Sequence, residues 1–173
     1  MILKALLQFP GSLLRQFQKT GTDTTPQKRL HLPAFMGRWY EQARFENSFE
    51  YDLDGVYSDY FATGIDQFRI TNHGTDARGR HHLVQGMAQV LHAHEPGLLR
   101  VSFVPPYTWF TAPMRILYTD RHYKEALLCS SGGHCLWLLT REKHPGYAAL
   151  RRLLKEAKRR GFNTLNLRHT IQY

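Results

Sequence analysis

From residue 36 to about residue 140, apolar and polar residues alternate in short runs that turn residues separate. Alternation with a period of two is typical of a strand with one buried and one exposed face. The runs predict eight strands, at 38–46, 55–63, 67–73, 81–92, 98–104, 113–119, 124–130 and 135–141. No helical pattern lies between them, which indicates an antiparallel meander or an up-and-down β-barrel. Closing eight strands removes the exposed sheet edges and leaves room inside for one small ligand.

After residue 141 the pattern changes and predicts one helix between Pro145 and Gly161. Proline suits the first turn of a helix, and glycine suits the position after its last turn. Apolar residues recur at helical spacing along one face, at Tyr147, Leu150, Leu153, Leu154 and Ala157. A short ninth strand at about 164–171 follows. The predicted fold is therefore all-β, with eight strands in a barrel, one C-terminal α-helix packed outside it and a short ninth strand.

The first 33 residues are predicted to form an N-terminal segment separate from a barrel domain at 34–173. Within it, residues 1–19 carry apolar side chains at roughly helical spacing among basic ones. Two interpretations stay open, a frayed or surface-packed helix and a basic amphipathic segment that lies on a membrane. Residues 20–33 are polar and bounded by proline, so they predict a linker.

The N-terminal segment lacks the features that would direct or anchor the chain by known signals. It contains no continuous apolar region and no small-residue cleavage site of the secretory kind. No cysteine precedes Cys129, so no N-terminal cysteine is present for lipidation. For the chain as written, these features predict a cytoplasmic or peripheral membrane location.

The 173 residues carry a formal net charge of +9, and its position along the chain matters more than its size. Counting Lys and Arg against Asp and Glu gives +4 for residues 1–33, −2 for residues 34–140 and +7 for residues 141–173. A nucleic-acid-binding domain usually carries basic residues on its folded body. The nearly neutral barrel therefore argues against nucleic acid as the partner, and the basic ends favour an anionic membrane surface.

Three short motifs carry a resemblance to a known family. Gly37-Arg-Trp39 opens the first strand, Thr119-Asp120-Arg121 ends the sixth, and Arg141 ends the eighth. In this order and at this spacing they resemble the lipocalin family. The stretch from Trp39 to Glu50 (WYEQARFENSFE) is similar to the bacterial lipocalin and apolipoprotein D-like branch. The resemblance covers about residues 34–173 and implies a barrel that binds a small hydrophobic ligand. No cofactor and no catalytic residue are predicted.

The resemblance also implies roles for the motif residues. Trp39 is expected to close one end of the barrel, and Arg141 is expected to cross that end against the indole ring. Gly37, Thr119 and Asp120 would then shape the chain around them. All five are expected to be structural. Bacterial relatives usually carry a lipoprotein signal that ends in cysteine, which suggests the outer membrane or periplasm for those relatives.

The interior lining follows from alternation once Trp39 is set to point inward. Glu41, Ala43 and Phe45 then also point inward from the first strand. Matching the other strands to the branch pattern extends the set, and the fourth strand presents Val84, Gly86, Ala88 and Val90 on one face. The full prediction adds Tyr57, Asp59, Phe61, Phe68, Ile70, Leu99, Val101, Phe103, Arg115, Leu117, Trp137 and Leu139. The residues predicted to bind the ligand are Glu41, Tyr57, Asp59, Phe61, Phe68, Val101, Phe103, Arg115, Leu117 and Trp137.

Glu41, Asp59 and Arg115 are the charged members of this lining. An unpaired ion in an apolar cavity is costly, so each is expected to be paired, hydrated or neutral. One interpretation is a water-filled mouth in which Arg115 pairs with Asp59 or Glu41. The other is that Arg115 binds the anionic head of a fatty acid or lysophospholipid by two parallel hydrogen bonds.

Other signals leave alternatives open. Residues 46–54 would form the long loop over the open end, either as a lid or as an ordinary ordered loop. Cys129 and Cys135 flank a hairpin turn, and its length decides between a disulfide and side chains on opposite faces. Ten histidines are present, but their spacing supplies no third metal ligand, so no metal is predicted.

The predicted function is binding, storage or transport of a fatty acid or lysophospholipid inside the barrel, in membrane lipid maintenance. The alternatives are a membrane-surface or nucleic-acid interaction protein that uses the basic ends, and a haem or tetrapyrrole binder. No pair of residues names a substrate for acid–base chemistry, so the chain is not predicted to be an enzyme. The sequence leaves the oligomeric state open.

Overall fold

The computed structural model describes residues 21–48, 50–103 and 111–173. A short helix α1 (Leu32–Phe35) precedes the strands. The strands are β1 (Gly37–Phe45), β2 (Asp54–Ala62), β3 (Gln67–Thr75), β4 (His81–Val90), β5 (Leu98–Phe103), β6 (Thr111–Thr119), β7 (Glu125–Ser130) and β8 (Cys135–Thr140). A 3-10 turn, Ser131–Gly133, connects β7 to β8, and helix α2 (Tyr147–Arg159) follows β8. A second 3-10 turn, Thr164–Asn166, leads into β9 (Leu167–His169).

The strands form one antiparallel sheet that closes on itself. Each strand from β2 to β8 pairs with the next, β8 pairs with β1, and β1 pairs back to β2. Closure gives every described strand of the barrel two neighbours, so the sheet has no long free edge within residues 21–48, 50–103 and 111–173. The predicted barrel of eight strands, outer helix and extra strand is confirmed. The amphipathic pattern predicted at 1–19 lies outside the described residues.

Strand β1 changes neighbours along its length. Its first half pairs with β2, from Gly37 opposite Tyr60 to Tyr40 opposite Tyr57. Its second half pairs with β9 instead, with Ala43 opposite His169. The C-terminal residues therefore fill the gap that opens between β1 and β2 at the far end of the barrel.

Two apolar clusters lie on the two faces of the sheet. The inner cluster draws residues from all eight barrel strands, including Trp39, Tyr60, Phe68, Val101 and Leu128. The outer cluster packs α2 against β7 and β8, and its buried members include Leu127, Leu138, Leu153 and Ala157. Because both faces of β7 are covered, that strand is buried throughout. This explains its continuous apolar sequence.

Candidate functional site

One end of the barrel is closed by Trp39 and Arg141. The guanidinium carbon of Arg141 lies 3.9 Å from the centre of the indole ring, which is the distance of a cation–π contact. The same guanidinium donates to five backbone carbonyl oxygens at 2.7–3.2 Å, those of Ala34, Phe35, Met36, Arg38 and Tyr123. The expected position of Arg141 across this end is confirmed.

The short helix α1 holds Trp39 in place by a hydrogen bond. Its indole N–H donates to the carbonyl of Phe35 at 2.8 Å, and both side chains are fully buried. Gly37 has a φ of +95°, and a Cβ there would lie 3.2 Å from Nη1 of Arg141. A side chain at this position would therefore meet both backbone strain and the guanidinium.

Asp120 organises the turn beside this closed end. Its carboxylate accepts backbone N–H donors from three residues, His122 at 3.0 Å, Lys124 at 2.6 Å and Glu125 at 2.7 Å. Thr119 exchanges hydrogen bonds with the side chain of Gln27, which lies in the segment predicted as a linker. Both residues thus form hydrogen bonds at the closed end, Asp120 within its own turn and Thr119 to Gln27, and their structural role stays a prediction.

The apolar wall predicted on strands β3 to β5 faces the interior. Phe68, Leu99 and Val101 are 0–4% exposed in the inner cluster, and Phe103 packs against them. Trp137 and Leu139 of β8 belong to the same cluster. Register supports the inward face of β4, because Ala88 lies opposite Phe68 on one side and Val101 on the other. For these side chains the inward direction is confirmed, and ligand contact stays a prediction.

The predicted inward face of β2 is wrong by one residue. Ser58 lies opposite the inward-pointing Trp39, so Ser58 and Tyr60 face the interior. Tyr57, Asp59 and Phe61 therefore point outward. Phe61 is 62% exposed.

On the outer wall, these β2 side chains contact other surface residues. Asp59 accepts two hydrogen bonds from the guanidinium of Arg38, both at 2.8 Å. The ring of Tyr57 stacks on His73 with 4.4 Å between ring centres. Neither Asp59 nor Tyr57 is part of the lining.

The predicted orientation of β6 is also wrong. Arg115 lies opposite Leu98 and Cys129, which share the outer face, while its neighbour Met114 faces inward opposite Leu99. Ile116 faces inward again, so Leu117 faces outward by alternation and is buried in the outer cluster. Both interpretations of Arg115 as a charge in the mouth fail, because the side chain lies on the other side of the wall.

A β-bulge in β1 reverses the alternation after Glu41. Glu41 lies opposite Leu139 and faces inward, whereas Ala43 lies opposite Leu138 in the outer cluster. Phe45, two residues further, packs against the same outer cluster. The predicted inward directions of Ala43 and Phe45 are therefore wrong, and the side chain that takes the inner position is Arg44, opposite Trp137.

Arg44 and Glu41 form a buried ion pair at the mouth end of the barrel. Nη1 of Arg44 donates to Glu41 Oε1 at 2.7 Å, and the two side chains are 0% and 2% exposed. The hydroxyl of Thr170 also donates to this carboxylate. Burial, together with the nearby Glu50 carboxylate, raises the pKa of Glu41 to about 7, although Arg44 and Thr170 favour the ionised form. Nε of Arg44 is buried with no hydrogen-bond partner among the described residues.

The loop between β1 and β2 is fastened over this end by arginines. Arg44 donates to the carbonyl oxygens of Glu50 and Leu53. Arg168 of β9 donates to Leu53 O at 2.6 Å and pairs with Glu46 at 3.3 Å. These bonds match the interpretation as an ordered loop. Phe49, predicted within it, lies outside the described residues.

Glu50 links this loop to the inner wall. Its Oε2 accepts the indole N–H of Trp137 at 2.7 Å and a donor of Asn47 at 2.9 Å. The same carboxylate also raises the pKa of the buried Tyr60 hydroxyl, although burial is the main cause. A negative charge therefore stands where the loop meets the barrel interior.

The two cysteines lie on opposite faces of the β7–β8 hairpin. Ser130 lies opposite Cys135, and Cys129 lies opposite Leu136. Cys129 belongs to the buried outer cluster, where burial raises the pKa of its thiol to about 12. No disulfide joins the two cysteines in the described hairpin, so the hairpin takes the form with the side chains on opposite faces.

Across the described parts of the chain, no group of three or more His, Cys, Asp and Glu side chains is arranged to hold a metal ion. None of the described helices is long and apolar enough to cross a membrane.

Sequence reasoning missed several side chains of the interior and its mouth, among them Arg44, Glu50, Tyr60 and Met114. Each is adjacent to, or within a quoted motif with, a residue that was predicted. A one-residue shift in strand register separates the right choice from the wrong one, and single-sequence alternation does not report bulges. For Glu50, the four acids of the 46–54 segment were the available signal.

Comparison with known proteins finds a matching family model, related sequences and a solved structure with the same fold. A family model described as Lipocalin-like domain matches residues 30–172. Outer membrane lipoprotein Blc of Vibrio cholerae is 29% identical over 149 residues, which cover 85% of each chain. Outer membrane lipoprotein Blc of Escherichia coli K12 is 31% identical over 130 residues, which cover 75% of this chain and 72% of that protein. Lobster apocrustacyanin A1 shares the fold with a TM-score of 0.68 at 21% identity, covering 83% of this chain and 80% of the other.

Proposed function

Because the chain belongs to the lipocalin family, we propose that it binds and carries a lipid of the fatty acid or lysophospholipid class inside its barrel. Family membership supports binding of a small hydrophobic molecule, and the lining supports an acyl chain. The observation that carries the proposal is the apolar inner wall of β3 to β6, with Phe68, Val101, Phe103 and Met114 on one face. Each methylene buried there contributes about 0.8 kcal/mol before ordering costs. A long acyl chain could therefore reach about micromolar affinity.

The position of the head group follows from the charges at the mouth. Among the residues that the structure describes, Arg44 is the cation at the mouth that faces inward, and its guanidinium is already engaged by Glu41 and the loop carbonyls. A carboxylate ligand would have to displace these partners and approach Glu50. A zwitterionic head group carries a cation, which would pair with the Glu50 carboxylate and lie against the Trp137 indole ring. We therefore favour a lysophospholipid over a free fatty acid.

The proposed cellular location rests on the relatives of this chain rather than on its sequence alone. The curated relatives named above are outer membrane lipoproteins by name. Their similarity supports the cell envelope as the site of action, in lipid maintenance, over the cytoplasm predicted from the sequence as written.

Native mass spectrometry of the purified full chain tests the proposal directly. We expect a co-purified lipid, or saturable binding of added lysophosphatidylcholine that is tighter than binding of palmitate. Val84→Trp would place a large ring on the inner face near the mouth, and Leu83→Trp would place the same ring on the outer face one residue away. We expect the first variant to lose binding and the second to retain it. Equal binding by both variants would contradict a ligand inside the barrel.

A further inference from the structure

Helix α2 carries three cations on the face turned away from the barrel. Arg151, Lys155 and Lys158 are all exposed and follow one another at spacings of four and three residues. Such spacings keep side chains on one side of a helix. Among the described residues, none of the three takes part in an ion pair. We name these three residues the basic stripe.

The neighbouring arginines of the helix are different, because they have carboxylate partners. Arg152 pairs with the buried carboxylate of Glu125, and Arg159 pairs with Glu156 at 2.6 Å. The carboxylates close to helix α2 thus pair with Arg152 and Arg159, and not with the basic stripe. The positive charge of the basic stripe is left uncompensated and faces solvent.

The helix holds the basic stripe in a fixed direction. Leu153 and Ala157, on the opposite face of α2, are fully buried in the outer cluster together with Phe162. Rotating the helix would expose these side chains, so the stripe cannot turn toward the barrel without losing that packing. Tyr147, in the first turn of α2, is 79% exposed, so an aromatic ring lies at one end of the helix.

A second source of positive charge joins the protein at the other end of the same helix. The backbone N–H of Asp23 donates to the carbonyl of Arg160 at 2.8 Å, directly after α2. Residues 1–20 therefore join the described chain beside the end of α2. They contain Lys4, Arg15 and Lys19 and no acid. A basic stretch of sequence is therefore connected to the chain beside the end of the helix that carries the basic stripe.

We propose that the basic stripe docks the protein on the anionic head groups of a lipid bilayer. The inference goes beyond ligand binding and does not depend on it. A bilayer fits better than nucleic acid because the charge occupies one helix face while residues 34–140 carry a net charge of −2. An exposed tyrosine at the end of the helix also suits the interfacial region of a membrane. Each Lys or Arg near an anionic leaflet strengthens binding by about fivefold.

Sedimentation of the full chain with vesicles tests this surface. We expect binding to phosphatidylcholine vesicles that contain phosphatidylglycerol, weak binding to phosphatidylcholine alone, and loss of binding at high salt. The variant Arg151→Glu/Lys155→Glu/Lys158→Glu should bind the anionic vesicles at least about 100-fold more weakly. The matched control Arg69→Glu/Arg78→Glu/Arg100→Glu changes the net charge equally on exposed positions of β3, the β3–β4 loop and β5, and should keep most of the binding.

Circular dichroism and thermal unfolding identify the variants that fold. If the triple variant of the basic stripe does not fold, the single variant Lys155→Glu is tested in its place. Equal binding by the stripe variant and its control would overturn the proposal, as would absence of wild-type binding to anionic vesicles. Tighter, stripe-dependent binding to a mixed-sequence DNA duplex would also overturn it and assign the stripe to nucleic acid. Lysophospholipid binding measured on the same variants separates this result from the proposed function, because the stripe variant should retain it.

Discussion

Arg141 and Trp39 are in cation–π contact at 3.9 Å, and the same guanidinium satisfies five backbone carbonyls that surround the indole ring. One side chain thus connects the end of β8 to the start of β1 and to helix α1. This relationship makes the closed end of the barrel a single hydrogen-bonded unit, and its removal should affect the stability of the whole fold.

We expect Arg141→Met to lower the free energy of unfolding by about 3 kcal/mol, because several carbonyls would lose their donor in a partly buried site. Arg141→Lys should lower the free energy of unfolding by a smaller amount, since lysine keeps the charge. It should still be destabilising because one ammonium group cannot reach all five acceptors. Urea denaturation measures both values. Arg121→Met, at an exposed position nearby, is the control and should change the free energy by less than about 0.5 kcal/mol. Similar values for Arg141→Met and Arg121→Met would contradict this account.

The same relationship shows what the sequence could predict. The strand pattern predicts the barrel, because turns and alternation are local signals. The closed end is predicted only through the resemblance to lipocalins that Trp39, Asp120 and Arg141 carry. The faces of β3, β4 and β5 were also predicted correctly, since their pairing is regular.

The errors lie where pairing is irregular or both faces are apolar. A bulge interrupts β1 after Glu41 and reverses the direction of every later side chain. In β6 both faces carry apolar residues, and the predicted face is off by one residue before the irregularity between Ile116 and Tyr118 is reached. In β2, aromatic residues occur on both faces, so hydrophobicity did not distinguish Tyr60 from Phe61. The register of β1 against β2 decides it, and that register is a property of the folded chain.

Met114 and Arg115 offer a direct test of the corrected face of β6. We expect Met114→Ala to weaken lysophospholipid binding by about 5- to 20-fold, because it removes apolar contact inside the barrel. Arg115→Ala should leave binding of both anionic and zwitterionic lipids unchanged. Isothermal titration calorimetry measures the two affinities. A selective loss of anionic lipid binding in Arg115→Ala would restore the interpretation that the sequence first suggested.

The positions of Cys129 and Cys135 predict the redox form of the protein. We expect the intact mass under non-reducing conditions to equal that of the fully reduced chain, because the two side chains lie on opposite faces of the hairpin. Burial raises the pKa of the Cys129 thiol to about 12, so it should not react with iodoacetamide until the protein unfolds. Cys129→Ser provides the control that assigns the slow thiol. Rapid labelling of Cys129 in the folded protein would contradict its burial.

Glu41 should make stability depend on pH in an unusual direction for a carboxylate. Its pKa is raised from 4.5 to about 7 in the folded protein, chiefly by burial. The folded state therefore binds the proton more tightly than the unfolded state does, and this contribution to stability is fully present below pH 4.5 and lost as the pH rises toward 7. A tenfold change in proton affinity corresponds to about 1.4 kcal/mol, so the free energy of unfolding should fall by about 3 kcal/mol.

Urea denaturation across this range should show the wild type losing stability relative to Glu41→Gln, which stays neutral. Glu142→Gln, at an exposed position, should follow the wild type. If the curve of Glu41→Gln ran parallel to that of the wild type, Arg44 and Thr170 would outweigh burial and Glu41 would be ionised throughout.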